Sequence, residues 1–167
     1  MDAALQELVD RQAIIQQIYT YCRAVDRLDI PLGHAVFHED SHADYGAGYY
    51  QGPGRGVIDL ICGHHGPLIS HSHQVGNVLI ELDGDRAASE AYCTGTMRLM
   101  REGQLMQMTA WVRYCDSWSR RGGHWAIDRR VVVFDHDEIH AVTAIGLASN
   151  ASRDRDDPSY ALLGNRL

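Results

Sequence analysis

Residues 74–135, QVGNVLIELDGDRAASEAYCTGTMRLMREGQLMQMTAWVRYCDSWSRRGGHWAIDRRVVVFD, contain four apolar-rich segments separated by short turn sequences. The segments cover residues 74–82, 86–101, 105–120 and 124–135, and the turns are Asp83-Gly84-Asp85, Glu102-Gly103 and Gly122-Gly123. Asp-Gly and Gly-Gly turns between long segments of alternating hydrophobicity are strong hairpin signals, because glycine adopts the left-handed conformations that tight turns require. This stretch predicts a meander of four antiparallel strands.

The residues before the meander follow a helical period instead. Apolar side chains recur every three or four positions at Leu5, Leu8, Ile15, Ile18, Cys22, Val25 and Leu28, which is the pattern of a helix with one face on a core. Pro31 ends or kinks that helix. We expect a second helix at residues 32–38, a Gly-rich hairpin around Tyr45, Tyr49 and Tyr50, and a third helix from about Gly56 to Ile61.

Helices followed by an antiparallel meander predict an α+β fold, with the helices packed on one face of a curved sheet. Residues 1–135 are expected to form a single domain, because a chain of this size can bury a substantial core. Residues 136–167 are polar, and we expect them to form an irregular C-terminal tail.

Composition excludes several classes of partner. The net charge is -7 and the 15 Lys and Arg residues are dispersed, which argues against nucleic acid or an anionic membrane surface as partner.

The four cysteines are far apart and form no C-x-x-C motif, so we expect reduced core residues. The N-terminus lacks the features of a signal peptide, and no apolar run approaches the ~20 residues of a membrane span. We therefore expect a cytoplasmic protein.

Two residues predict a site for proton transfer. Asp26 lies near the end of the first helix, and His73 lies where the first apolar strand begins. A carboxylate that binds one nitrogen of an imidazole fixes its tautomer, stabilises the imidazolium and leaves the other nitrogen free to accept a substrate proton. The sequence thus predicts a His73–Asp26 dyad that needs no metal.

The order of these elements resembles the cone-shaped α+β barrel of the nuclear transport factor 2-like superfamily, in its SnoaL-like branch, over roughly residues 4–135. Three local motifs carry the resemblance. Tyr21-Cys22-Arg23-Ala24-Val25-Asp26 resembles the Tyr and Asp of bile-acid dehydratases, and His73-Gln74-Val75-Gly76-Asn77 resembles the strand that carries the base in hexachlorocyclohexane dehydrochlorinase and related dehydratases such as scytalone dehydratase. Trp125-Ala126-Ile127-Asp128-Arg129-Arg130 resembles the Trp-led final strand whose arginine lines the dehydrochlorinase cavity.

This resemblance implies a cofactor-independent lyase of the dehydratase type that acts on a hydrophobic cyclic or aromatic molecule, in a dimer or trimer of identical chains. His73 would be the general base, Asp26 would orient it, and Tyr21 or Arg130 would assist the departing group. A salt bridge from Arg130 to Asp128 or Glu90 is the structural alternative for that arginine. Candidates for the apolar cavity wall are Tyr49, Tyr50, Met106, Met108, Trp111 and Phe134.

Other functions of the same fold stay open. They are an isomerase, an enzyme similar to polyketide cyclases, the non-catalytic small (beta) subunit of a ring-hydroxylating dioxygenase, and a module that binds small molecules. Each would place the same helices and strands around a cavity, because fold alone does not determine chemistry.

We expect no metal cofactor, although two histidine patterns suggest one. Residues 38–42, HEDSH, match the zinc motif H-E-x-x-H, which requires both histidines on one continuous helix. The segment is expected to cross the end of a helix, which disfavours that site. His64-His65 and His71-Ser72-His73 suggest a cupin-like site, but Asn77 stands where a cupin has glutamate.

Overall fold

The computed structural model describes residues 2–163. The helices are α1 (Ala3–Arg27), α2 (Ile30–Ala35), α3 (Gly54–His65) and α4 (Pro158–Leu163), and the strands are β1 (Phe37–Asp44), β2 (Gln51–Pro53), β3 (Ser70–Asp83), β4 (Arg86–Arg101), β5 (Gln104–Arg121) and β6 (His124–Ala141). The strands form one sheet in the order β2-β1-β6-β5-β4-β3. The α+β fold class is therefore confirmed.

The predicted meander is present, and each hairpin uses the expected turn. Strands β3 to β6 pair antiparallel in sequence order, and Gly84, Gly103, Gly122 and Gly123 all have positive φ. One pairing is long-range: β1 lies parallel to β6. The sheet is consequently mixed, with the short strand β2 antiparallel at the edge beside β1.

Helix α1 packs its central and C-terminal turns against the sheet. Ile14, Ile18 and Val25 are fully buried, whereas Leu5 and Leu8 are 51% and 64% exposed. The predicted stripe is thus correct at Ile18, Cys22 and Val25 and wrong at Leu5 and Leu8. Ile15 and Leu28 are only half-buried, and Ile14, which the stripe did not include, is in the core. Buried Asp10 marks the change, because its carboxylate accepts hydrogen bonds from Trp125 at 2.9 Å and Arg120 at 2.7 Å.

Two predicted elements near the first helix need correction. The second helix covers Ile30–Ala35, and the chain from Phe37 is a strand. His38 and His42 therefore lie on β1, where residues four apart are about 13 Å apart along the chain, so they cannot form a helical zinc motif. Predicted helix three is longer than expected and begins at Gly54, where a Cβ would come within 2.3 Å of Ser41 Oγ.

The C-terminal segment is more ordered than the sequence predicted. Strand β6 continues to Ala141 because residues 136–141 pair with β5, and α4 follows at Pro158. Polar contacts attach this segment to the helices: Arg23 donates to Ser159 at 3.0 Å, and Tyr160 donates to Asp29 at 3.2 Å. The expectation of an irregular tail from His136 is wrong for these two elements.

The core lies between the helices and one face of the sheet. Cys22, Cys62 and Cys93 are buried within it, as expected for core residues, whereas Cys115 is only half-buried; all four are free thiols. Within residues 2–163, every helix is too short or too polar to cross a membrane.

Candidate active site

The predicted contact between His73 and Asp26 is present. His73 Nδ1 lies 2.7 Å from Asp26 Oδ1, and the backbone N–H of His73 donates to Asp26 Oδ2 at 3.0 Å. Both carboxylate oxygens are therefore held by the same residue. Because a carboxylate only accepts hydrogen bonds, Nδ1 carries the proton and Nε2 of neutral His73 has a free lone pair.

A contact between the start of β3 and the end of α1 brings the two residues together. Helix α1 ends at Arg27, and the C-cap residue Leu28 has the left-handed conformation, with a φ of 54°, that terminates a helix. Just beyond, His71 Nε2 donates to the Val25 carbonyl at 3.0 Å, which joins the start of β3 to the last turn of α1. Asp26 follows Val25 directly and His73 lies two residues after His71, so this contact brings the dyad residues close together.

Burial and charge shift the pKa of His73 in opposite directions. Burial alone would lower the pKa of the imidazole, but the hydrogen bond and the negative charge of Asp26 outweigh it, so the pKa of His73 lies above 6.5. Gly95, its cross-strand neighbour on β4, leaves the ring accessible: a Cβ there would lie 3.5 Å from Nε2. The free nitrogen can therefore meet a ligand.

His73 lies in the wall of an apolar cavity of about 490 Å³ between the sheet and α3. Its lining comprises Tyr21, Tyr45, Tyr49, Ile61, His64, His65, Leu68, His73, Gly95, Met97, Met108, Ala110, Val112, Tyr114, Val132 and Phe134. On the other side of the dyad, a polar hollow of about 350 Å³ is lined by Asp26, Arg23 and Arg27. The dyad thus separates an apolar chamber from a polar one.

Three of the six expected wall residues line this cavity: Tyr49, Met108 and Phe134. The other three are placed elsewhere. Trp111 lies between Ala110 and Val112, which both line the cavity. Because side chains alternate along a strand, Trp111 points to the opposite face of the sheet. There its ring stacks on that of His136, with ring centres 4.6 Å apart.

Tyr50 and Met106 are the other two corrections. Tyr50 turns away from the cavity, and its hydroxyl donates to the Pro53 carbonyl at 2.8 Å. Met106 shares a sheet face with Met108 but lies two residue pairs nearer the turn of the hairpin, opposite Leu99, outside the lining.

The far end of the cavity holds hydroxyl groups. Tyr21 and Tyr45 share a hydrogen bond of 2.7 Å between their buried hydroxyls, and the Tyr114 ring packs edge-on against Tyr21. Burial raises the pKa of Tyr21 well above 10, so the hydroxyl is neutral. Two hydroxyls have two protons and their mutual bond uses one, which leaves one O–H to donate to a ligand.

Arg130 packs against the rings of these tyrosines but does not line the cavity. It is 0% exposed and its guanidinium lies 4.1 Å from the Tyr21 ring centre and 4.3 Å from that of Tyr114. Asp116 accepts from Arg130 Nε and Nη2, each at 2.7 Å. The partner proposed from sequence, Asp128 or Glu90, is therefore wrong.

Sequence reasoning missed four cavity residues with polar or special roles, namely Tyr45, Tyr114, His65 and Gly95. Tyr114 is an even number of residues from Met108 on β5 and so lies on the same face of the strand. The alternation of side chains along the strand could therefore have identified it. Tyr45 and His65 come from a turn and a helix end, whose orientation no local pattern gives. Within residues 2–163, no three His, Cys, Asp or Glu side chains are arranged to hold a metal ion.

Known proteins resemble this chain both in sequence and in structure. The family model described as a SnoaL-like domain matches residues 6–131. An uncharacterized protein of Mycobacterium tuberculosis is 28% identical over 129 residues, which cover 77% of this chain and 87% of that one.

Several solved structures share the fold. A type 2 hexachlorocyclohexane dehydrochlorinase aligns with a TM-score of 0.74 at 17% identity, covering 89% of this chain and 99% of that one. A protein assigned as a scytalone dehydratase from Novosphingobium aromaticivorans aligns with a TM-score of 0.70 at 21% identity, covering 86% and 97%. A protein of the same organism described as NTF2-like with a cystatin-like fold aligns with a TM-score of 0.63 at 22% identity, covering 80% and 86%.

At these identities the structures show the fold, and they include dehydratases and dehydrochlorinases among its members. The predicted resemblance is confirmed. The family model spans three quarters of the sequence and includes both Asp26 and His73, and so the chain belongs to the SnoaL-like domain family of the NTF2-like superfamily.

Proposed function

We propose that this protein is a cofactor-independent lyase of the dehydratase type, which uses His73 as general base on a hydrophobic cyclic or aromatic molecule. One observation carries the proposal: His73 is hydrogen-bonded to Asp26 at 2.7 Å and lies in the wall of an apolar cavity. A positioned imidazole with a free nitrogen and a charge-stabilising carboxylate is the arrangement that carbon-to-nitrogen proton transfer requires.

The cavity suggests how the substrate would lie. Its walls are mostly apolar, and its polar groups are confined to the histidine side and the tyrosine end. A ring would therefore fill the middle, with an oxygen substituent toward the spare O–H of the Tyr21–Tyr45 pair. That O–H would polarise a carbonyl or a departing hydroxyl in a site with little water.

In the proposed elimination, Nε2 of His73 takes a proton from carbon and the electrons of the C–H bond form the new double bond. The hydroxyl on the neighbouring carbon leaves with its bonding electrons. It accepts the proton from the imidazolium and departs as water, which returns His73 to its starting state. Asp26 stabilises the transient positive charge, and the tyrosine pair stabilises negative charge on oxygen.

The experiment measures turnover of bicyclic β-hydroxy ketones, whose carbonyl acidifies the C–H bond next to the leaving group. His73→Ala and Asp26→Asn should each lower kcat by about 10² to 10⁴, and the double variant should be little worse than either, since the two residues act as one unit. His42→Ala, on the exposed face of β1, is the matched control. Turnover retained within a few fold in His73→Ala would contradict the proposal.

Assembly into a dimer or trimer and a cytoplasmic location remain predictions from sequence. Measurement of the oligomeric state by light scattering would test the first. A role as a dioxygenase subunit or a pure binding module would follow if ring compounds bind the cavity and none is converted.

A further inference from the structure

A second histidine faces the cavity beside the base and has no role in the reaction above. His65 is the last residue of α3, is 8% exposed and lines the cavity. Its ring stacks on His73, with centres 5.8 Å apart and planes 16° from parallel. Within residues 2–163, neither of its ring nitrogens has a hydrogen-bond partner, and Nδ1 is fully buried.

The position of this ring is held by the C-terminal segment. Arg153 donates to the His65 carbonyl at 2.9 Å and to the Gly66 carbonyl at 3.2 Å, which fixes the end of α3. His71 packs against the other edge, with ring centres 4.6 Å apart. The ring is therefore built into the wall.

His65 is neutral at physiological pH. Burial is the main cause and the charges of His71, His73, His64 and Arg153 add to it, and together they lower the pKa of His65 to about 3. A neutral imidazole has one N–H donor and one lone-pair acceptor. It cannot replace His73 as a proton carrier, but it can form a hydrogen bond.

Leaving a buried polar group without a partner is costly, so such groups are normally paired with protein, water or ligand. Because Nδ1 is sealed, Nε2 is the nitrogen that a cavity ligand can reach. Whether Nε2 carries the proton depends on the tautomer. A hydroxyl group suits both tautomers, because it can donate or accept.

We propose that His65 is a substrate-binding residue that hydrogen-bonds a ring hydroxyl, so that the substrate is a cyclic molecule with two oxygen substituents. One oxygen binds the Tyr21–Tyr45 pair and the other binds His65. This inference rests on the proposed function, because the ligand of His65 is a substrate only if the protein is an enzyme. Its test is a binding measurement that does not depend on turnover.

The test compares probes of equal ring size by isothermal titration calorimetry. The probes are 2-methylnaphthalene, 2-naphthol and three dihydroxynaphthalenes with hydroxyls at positions 1,5, 2,6 and 2,7. The second hydroxyl of at least one isomer should tighten binding to the native protein about 2- to 12-fold over 2-naphthol, the ratio expected for one net hydrogen bond. This gain should vanish in His65→Leu and persist in part in His65→Gln.

Two controls separate binding from folding. The affinity of 2-methylnaphthalene should stay within about 2-fold in His65→Leu, since an apolar probe makes no hydrogen bond there. His42→Leu, which exchanges an exposed histidine on β1, should keep every ratio. In the native protein, the ¹⁵N signal of His65 Nε2 should shift more with the preferred dihydroxynaphthalene than with 2-methylnaphthalene.

The inference is overturned if the gain from the second hydroxyl is the same in His65→Leu as in the native protein, or if no isomer binds more tightly than 2-naphthol. An unchanged ¹⁵N signal would overturn it even if His65→Leu failed to fold. Failure here would leave the His73→Ala result intact, and failure of that variant to lose turnover would leave these binding ratios intact.

Discussion

Removing Asp116 should destabilise the protein strongly, because it leaves a buried guanidinium without a counter-charge. Arg130 and Asp116 both have fully buried side chains and are joined by two hydrogen bonds of 2.7 Å. Breaking such a pair by truncating one partner typically costs about 3 to 5 kcal/mol of the free energy of unfolding. That is a large part of the roughly 5 to 15 kcal/mol that stabilises a typical domain.

The structure supports the upper part of that range for Asp116→Ala. Arg130 Nη1 has no hydrogen-bond partner within the described residues, so Asp116 is its main source of compensation. The aromatic rings of Tyr21 and Tyr114 supply cation–π attraction, which is weaker than a paired charge. With about 2 to 4 °C of Tm per kcal/mol for a chain of this size, a loss of about 4 to 5 kcal/mol should lower Tm by roughly 8 to 20 °C.

Urea unfolding followed by circular dichroism would measure the change, with the m-value as a check on two-state behaviour. The double variant Asp116→Leu, Arg130→Met should recover most of the loss, because the buried charge is gone. Asp135→Ala, which breaks the exposed Arg113–Asp135 pair, is the matched control and should have a much smaller effect. A loss below about 1 kcal/mol in Asp116→Ala, at an unchanged m-value, would refute the assignment of Arg130 as a buried, charge-paired support.

The remaining predictions concern the cavity. If His73 is the base, it must be unprotonated to act, and Asp26 raises its pKa above 6.5 despite burial. The value of kcat/KM should therefore rise with pH through a midpoint above 6.5. Asp26→Asn should lower that midpoint, and equal midpoints in the two pH profiles would argue against the dyad. Gly95→Val should cover His73 Nε2 and cut kcat/KM with little change in Tm, whereas Gly95→Ala, whose Cβ meets the ring at an ordinary 3.4 to 3.5 Å, should be far milder. Met108→Ala should raise KM for a ring substrate, and Trp111→Ala on the opposite face should leave KM unchanged; the reverse result would show that β5 is misoriented.

Much of this fold was predictable because its signals are local. Alternating hydrophobicity and Gly-containing turns specify hairpins between neighbouring segments, and those turns have the positive φ that only glycine adopts easily. The contact between Asp26 and His73 was also predictable, because it joins the ends of two elements with clear patterns. The parallel pairing of β1 with β6 was not predictable, since it joins residues 87 to 90 positions apart in the chain and depends on how the whole sheet closes.

The failed prediction for Arg130 shows the same limit at a single residue. The turn between β5 and β6 pairs Arg121 with His124, and that register alone would place Arg130 opposite Cys115. A bulge between Ser117 and Trp118 shifts the register by one residue, with Asp128 as the extra residue, so that Arg130 faces Asp116. A bulge leaves little trace in the sequence, yet it changes every pair beyond it.

Periodicity, turn residues and the Asp26 and His73 positions were therefore enough to establish the α+β meander and the candidate base, because each depends on neighbours within a helix turn or a hairpin. The cavity itself is a property of packing. Tyr45 from a turn, His65 from the end of α3 and Gly95 from β4 line one cavity with His73 only after the sheet has packed around the helices. Their convergence depends on strand register and helix placement, which are set by burial of the whole core and by no segment alone.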